Sequence, residues 1–237
     1  MGRVYAVADL HGNLKLWDAV RAYLQPDDTL YVLGDCGDRG PHGWTIIREA
    51  LRDSRVVYIR GNHDQFILDS WRDEWMDNWL WFNNGGYETY EALLMDADYE
   101  KYLIELSKTK FYHCYINKEG QRIHLSHAGF TLMEDDVIPH KNDLLWDREH
   151  IDDHCDWWPE ENPTDYVVHG HTWCASSVFK RNAYAFNNVE INDTQTVCRY
   201  AHGYKICIDG RSFVYNRCAL LDLDTLQETV VSVETLN

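Results

Sequence analysis

The sequence has no C-x-x-C pair, no long apolar run and few basic residues, and each shortage removes a class of protein. Its seven cysteines, Cys36, Cys114, Cys155, Cys174, Cys198, Cys207 and Cys218, are odd in number and scattered, which argues against a zinc ribbon. Reduced, mostly buried thiols are expected, with a small zinc site from Cys198, Cys207 and their neighbours as the minor alternative. No stretch approaches the length of a membrane span. The opening "MGRVYAVADLHG" lacks the apolar stretch and cleavage site of a signal peptide, and Ala6 stands where myristoylation wants Ser or Thr. The expectation is a soluble, cytoplasmic protein with no membrane partner.

Lys and Arg number 22 against 39 Asp and Glu, a net charge of −17. Residues 65–105 carry ten acids against Arg72 and Lys101, and residues 134–165 carry twelve against Lys141 and Arg148. Such a field repels nucleic acid phosphates, so no nucleic acid partner is expected. The acidic segments read as solvated faces, with a role lining the approach to a site as the sharper alternative.

Against these shortages, 45% of the 237 residues are apolar and ten are tryptophan, enough for one substantial core. Five apolar runs of strand length each stop at a polar turn: "RVYAVADLHG", "TLYVLGD", "RVVYIRGNHD", "RIHLSHAG" and "DYVVHGHT". In sheets with helical crossovers, ligand sites gather outside the carboxyl ends of the strands, so the five turns are expected to converge. Between them, "LKLWDAVRAYL" and "GWTIIREALRD" read as helices, the first stopped by Pro26. Trp71, Trp75 and Trp79 recur every four residues and read as a packed helical stripe ended by "NNGG". "YETYEALLMDADYEKYLIELS" continues as helix, and "FYHCYINKEGQRIHLSHAG" reads as a hairpin turning at Lys118 to Gly120. Residues 152–165 form a polar loop, in which Asp153, His154 and Cys155 read as solvated rather than as an accessory site. A single α/β domain over 1–237 is the economical reading, with the helical segment 65–108 and the excursion 172–204 forming the rim of the site.

The polar turns carry the chemistry. Asp9 and His11 are two apart, so on an extended segment they face one way. Asp35 adds a carboxylate able to bridge two metals, Asn62 an amide oxygen, and His127 and His171 two imidazoles. The set makes two sites sharing Asp35, rich in N and O and free of thiolate, which suits Mn²⁺, Fe or Zn²⁺. His63, directly after Asn62, is the expected general acid, with Asp38 holding its tautomer. Arg39 offers a planar fork matched to phosphate. His169 reads as packing at a strand end, and His42, His124 and His154 as ordinary surface or strand residues.

The ordered set "DLHG", "GDCGDRG", "GNHD", "HAG" and "HGHT" resembles the phosphoprotein phosphatase family of the calcineurin-like metallophosphoesterases, in its bacterial and bacteriophage branch. "NNGG" at 83–86 and "LLWDRE" at 144–149 are similar to that branch as well. The resemblance implies an αββα sandwich of two mixed sheets flanked by helices. It also implies two divalent ions, Mn²⁺ in vitro, with Asp9, His11 and Asp35 at one and Asp35, Asn62, His127 and His171 at the other. Arg148 joins Arg39 and Asn62 as an implied contact to the substrate phosphate. The implied reaction is hydrolysis of a phosphomonoester by direct attack of water, on a phosphorylated protein (Ser/Thr, with Tyr as a variant) or a small phosphoester. A diadenosine polyphosphate hydrolase is the alternative, and a non-catalytic phosphate-binding scaffold the third. The oligomeric state is not set by the sequence.

Overall fold

Period-two alternation in the strands decides how the chain layers. The computed structural model describes residues 2–72, 76–131, 139–152, 165–186 and 189–234. In chain order the first half contains β1 (Val4–Val7), α1 (Leu14–Tyr23), β2 (Thr29–Val32), α2 (Gly43–Arg52) and β3 (Val56–Tyr58). Then come α3 (Asn62–Trp71), α4 (Met76–Asn83), α5 (Tyr87–Leu94) and α6 (Tyr99–Ser107). The second half begins with β4 (Tyr112–Ile116), β5 (Arg122–Ser126), α7 (Lys141–Trp146), α8 (Glu149–Asp152), β6 (Asp165–His169) and α9 (Ser177–Phe186). It closes with β7 (Glu190–Ile191), β8 (Cys198–Tyr200), β9 (Lys205–Cys207), α10 (Ser212–Tyr215), β10 (Arg217–Asp222) and β11 (Glu228–Ser232).

The strands form two mixed sheets, ordered β11-β10-β1-β2-β3 and β4-β5-β6-β9-β8-β7. In the first, β1, β2 and β3 run parallel through the α1 and α2 crossovers, while β10 closes antiparallel on β1. In the second, β5, β6 and β9 are parallel and the outer strands antiparallel. Tyr5, Val7, Leu30, Val32, Cys218 and Leu220 face one way and pack with Trp17, Trp44 and Ile47 of the helices. Their alternates Ala6, Tyr31, Leu33, Ala219 and Leu221 face the other way and meet Ile123, Leu125, Val168 and Ile206 of the second sheet. Each fully buried large apolar side chain contributes about 1.5–3 kcal/mol, so both faces of the first sheet are held as firmly as a core. The outer face of the second sheet is covered by Leu144 of α7 and Phe179 of α9. The expected αββα sandwich is therefore present.

Local details depart from the sequence reading in three places. Trp79 is 74% exposed and Trp71 39% exposed, so neither is the packed stripe that the four-residue spacing suggested. They belong to different helices, α3 and α4, and Trp75 lies outside the described residues. The long helix expected from Tyr87 is two helices, because the chain breaks between Leu94 and Tyr99. There Asp96 accepts the Trp44 indole at 2.8 Å and pairs with Arg48 at 3.0 Å, so this acid is a structural anchor. Residues 172–204 are not a mere extended excursion. They contain α9, the edge strand β7 and its neighbour β8. Cys36, Cys174, Cys198, Cys207 and Cys218 are buried free thiols and Cys114 is partly buried. Asp153, His154 and Cys155 lie outside the described residues.

Candidate active site

The five polar turns converge because the loops after β1 and β2 are laced together. The backbone N–H groups of Asp9, His11 and Gly12 donate to the carbonyls of Gly34, Asp35 and Cys36 at 3.2, 3.0 and 2.8 Å. Asp9 and His11 are not extended, as their spacing had suggested, but left-handed, with φ of 53° and 42°. Asp35, Asp38, Arg39 and His171 share that conformation. Asp and His tolerate it better than most residues, yet it costs of order 1–3 kcal/mol where imposed. Strain of this kind is held only where the surroundings fix it, and six of the twelve positive-φ non-glycine residues among those described are ones singled out for chemistry. Gly61 shows how tightly: a Cβ there would lie 2.1 Å from Asp35 Oδ1.

Asp35 is the centre of the constellation. Its Oδ2 lies 3.9 Å from His11 Nε2, 3.9 Å from His63 Nε2 and 3.3 Å from His127 Nε2, while Oδ1 accepts the His63 backbone N–H at 3.0 Å. Two groups have donor atoms all within 4.8 Å of one another: His11, Asp35 and His63, and Asp35, His127 and His171. Asp9 joins from the side, Oδ1 standing 3.9 Å from His11 Nε2 and Oδ2 accepting the His171 N–H at 2.9 Å. Asn62 Oδ1 lies 2.8 Å from His127 Nε2. The second sheet thus supplies His127 and His171, and the first sheet the rest. Among the described residues, neither group contains a cysteine.

The donor set fits divalent ions. His11 Nδ1 is 2.9 Å from the Gly37 carbonyl and His127 Nδ1 2.7 Å from that of Leu33, so both rings turn Nε2 toward Asp35. His171 Nε2 is buried without a partner. Burial, reinforced by Asp209 and then Asp35, pushes the Asp9 carboxyl well above the usual range. Burial likewise raises Asp209, and it lowers His11 and His171 far below the usual imidazole range. Burial opposes a charge on His127, but Asp35 outweighs it and lifts that ring to about 9. A pocket with three buried carboxylates and so few permanent cations is one that added positive charge relieves.

On the other side of Asp35 stands an acid and an arginine. His63 Nδ1 meets Asp38 Oδ2 at 2.6 Å. Arg39 spans two rings, with Nη1 2.9 Å from His11 Nε2 and Nη2 3.1 Å from His63 Nε2. Arg148 is close enough for Asp9, Asp209 and Asp35 to act on its guanidinium, and neighbouring Trp146 meets the His171 ring edge-on at 6.0 Å. His169 packs at the strand end as expected, bonded to Tyr200 at 2.7 Å. His124 bridges Tyr112 and Asp165, a structural role.

Four neighbours escaped the sequence reading. Asp209 follows β9 and is buried beside Asp9. Its signal was available, because "YKICIDG" repeats the pattern of an apolar run ending in Asp-Gly. Ser212 donates its hydroxyl to the Asp9 carbonyl, and Phe213 lies edge-on to His11 at 5.4 Å and under Arg39 at 5.1 Å. Trp81 donates to Asp38 at 2.8 Å. No local pattern marks these last three.

A two-sheet sandwich with paired groups able to hold metal ions at its strand ends is an arrangement suited to a metallophosphoesterase. The profile of the calcineurin-like phosphoesterases matches residues 2–175, and the chain belongs to that family. Over 86 residues it is 35% identical to serine/threonine-protein phosphatase 1 of Salmonella typhimurium, covering 35% of this chain and 38% of that protein. Over 70 residues it is 39% identical to the symmetrical bis(5'-nucleosyl)-tetraphosphatase of Acidovorax ebreus, covering 27% of this chain and 25% of that protein. Both matches span well under two thirds of those relatives. A crystal structure provisionally described as a diadenosine tetraphosphatase superposes with a TM-score of 0.60 at 19% identity, over 98% of this chain and 93% of that one. A metallophosphoesterase from Sphaerobacter thermophilus gives 0.56 at 15% identity, over 98% and 88%. These two likenesses show the fold.

Proposed function

We propose that the chain is a phosphoprotein phosphatase that hydrolyses phosphomonoesters of serine and threonine, with tyrosine as a further substrate. The observation that carries the reading is the buried His63–Asp38 pair, 2.6 Å apart, with His63 Nε2 3.9 Å from the shared carboxylate Asp35. An alkoxide leaving from phosphoserine is a poor leaving group and needs a proton. The anion leaving from a phosphoanhydride is already stable. A dedicated acid therefore gains most on a phosphomonoester, where general acid catalysis contributes roughly 10²–10⁴-fold.

In this reading Asp9, His11 and Asp35 would hold one divalent ion and Asp35, Asn62, His127 and His171 the other. Bound there, the pair would supply an activated water and a charge clamp for in-line displacement. The rest belongs to the protein. Arg39, Arg148 and Asn62 hold the phosphoryl oxygens. Once Arg39 leaves Nε2 for the phosphoryl oxygens, His63, its Nδ1–H held by Asp38, gives a proton from Nε2 to the leaving oxygen. A donor set of nitrogen and oxygen supports Mn²⁺, Fe or Zn²⁺.

One observation favours a second reading, a diadenosine polyphosphate hydrolase. Arg211 lies over both Trp173 and Phe213, at 5.0 and 5.8 Å, so π-faces and cations flank the site as a nucleobase and its phosphates would require. Phosphate release by chelator-stripped protein with Mn²⁺ restored, on a phosphoserine peptide and diadenosine tetraphosphate in parallel, separates the two. Faster peptide turnover supports the phosphatase. Faster dinucleotide turnover overturns it in favour of the second reading.

A further inference from the structure

The geometry points to Trp81 as the third member of the acid assembly, a positioning residue that acts on catalysis only through Asp38 and His63. The inference rests on the reading of His63 as general acid.

Trp81 lies on α4 and is fully buried. Its indole Nε1 donates to Asp38 Oδ2 at 2.8 Å, the same oxygen that lies 2.6 Å from His63 Nδ1. The other oxygen, Oδ1, is buried with no partner. An indole N–H can only donate. The Trp81 N–H uses a lone pair of Oδ2, which favours the proton of the His63 contact on Nδ1 and leaves Nε2, 3.1 Å from Arg39 Nη2, as the nitrogen on the Asp35 side. Terminal carboxylate torsions are broad and two-fold. With one partner Asp38 could swing; with two donors converging on one oxygen its plane is set, and the imidazole is aimed with it. The Asp38 backbone is pinned separately, its N–H donating to Thr89 Oγ1 at 2.8 Å.

Trp81 is itself held in place by the "NNGG" turn, which the sequence reading used only as a helix end and as part of the family resemblance. Gly86 approaches so closely that a Cβ there would lie 2.1 Å from Trp81 Nε1, and its N–H donates to the Trp81 carbonyl at 3.1 Å. Phe82 stacks on the indole at 5.4 Å and Tyr90 meets it edge-on at 5.9 Å. The neighbouring Gly85, with φ of 93°, accepts the backbone N–H of Arg39 at 2.9 Å. A Cβ at Gly85 would press on Arg39 Cγ at 3.1 Å. One turn thus seats both sides of the leaving-group chemistry, Trp81 through Gly86 and Arg39 through Gly85. A side chain at Gly86 would run into the indole, and one at Gly85 would be strained by the φ of 93°.

The test is dependence on the leaving group. Trp81 is replaced by 3-benzothienylalanine, which keeps the ring and exchanges the N–H for sulfur, and in parallel by Trp81→Phe. Each is made alone and with His63→Asn, and all are assayed with Mn²⁺ restored on a phosphoserine peptide and on p-nitrophenyl phosphate. Nitrophenolate leaves without a proton. The expected result is a kcat loss of about 10-fold on the peptide, a fraction of the roughly 10²–10⁴-fold from the acid, with under about 2-fold on the aryl ester. In the His63→Asn background no further peptide loss is expected, since the indole acts through that ring. Equal losses on both substrates, or an undiminished loss without His63, overturn the inference and leave the acid reading standing. Full peptide turnover in His63→Asn alone overturns the acid reading, and this inference with it. Should Trp81→Phe fail to fold, the isosteric replacement carries the comparison.

Discussion

Removing the Asp64 side chain tests the idea that the site is held by a few buried acceptors. Its carboxylate is fully buried at the start of α3. Oδ2 accepts the N–H groups of Gly61 at 2.9 Å and Asp35 at 3.1 Å, and Oδ1 accepts the Tyr58 hydroxyl at 3.0 Å. Asp64→Ala strands all three donors. A buried donor left unsatisfied costs about 1–3 kcal/mol, and water entering the vacated polar space recovers part of it. The expected loss is about 3–5 kcal/mol, against a total of roughly 5–15 kcal/mol for a domain. Asp64→Asn is the control. Burial, with the charge of Asp35 second, pushes the Asp64 carboxyl up to about 7, so at pH 6 it carries a proton and the amide is its isostere. That variant should cost at most about 1 kcal/mol. Urea unfolding of chelator-treated protein at pH 6, followed by tryptophan fluorescence, measures both. The Ala variant should also bind Mn²⁺ about 10–100-fold more weakly, because the backbone of Asp35 loses its anchor. Equal midpoints for Ala and Asn, or a loss under about 1 kcal/mol for Ala, would show that the Asp64 carboxyl does not hold these donors.

Two further predictions follow from the same pocket. Asp35→Asn should lower the content of both metals together, measured by atomic absorption after dialysis, since Oδ2 stands between His11 and His127 at 3.9 and 3.3 Å; loss of one metal alone would show that the carboxylate is not shared. Burial holds His169 down at about 3 and His150 well below the usual range, so both are neutral in the folded protein and charge on unfolding. The unfolded chain then binds more protons below about 6.5, and stability present above that pH is lost as pH falls, by up to about 1.4 kcal/mol per unit for each ring. His150→Gln should reduce the slope of urea stability between pH 7 and 5, and an unchanged slope would sink the assignment.

The five strand-end turns were legible because Asp, Asn, His and Gly stop a strand abruptly, and each stop here also carries a proposed metal ligand. The layering was legible for a related reason: alternation in "RVYAV" and "RCALLD" assigns one side chain to each face. What failed was anything carried by distance along the chain. Trp81 reaches Asp38 across 43 residues and Ser212 reaches Asp9 across 203. Periodicity misled at Trp71 and Trp79, since a four-residue spacing means one face only while the helix is unbroken. The break before Tyr99 was hidden because Asp96, besides accepting the Asp98 N–H, is held by Trp44 and Arg48 from a distant part of the chain.

The place of β1 between β2 and β10 bears on how the protein is made. A ribosome delivers Asp9 and His11 early, but the hydroxyl of Ser212 and the strand Arg217–Asp222, which clamp that segment, arrive some 200 residues later. Until then β1 has an open edge, the kind of surface that recruits stray strands. The nascent chain cannot assemble its centre step by step, however complete its first sheet. Competence arrives late and all at once, so a chain stalled near residue 205 is left without activity and with a strand in need of a chaperone.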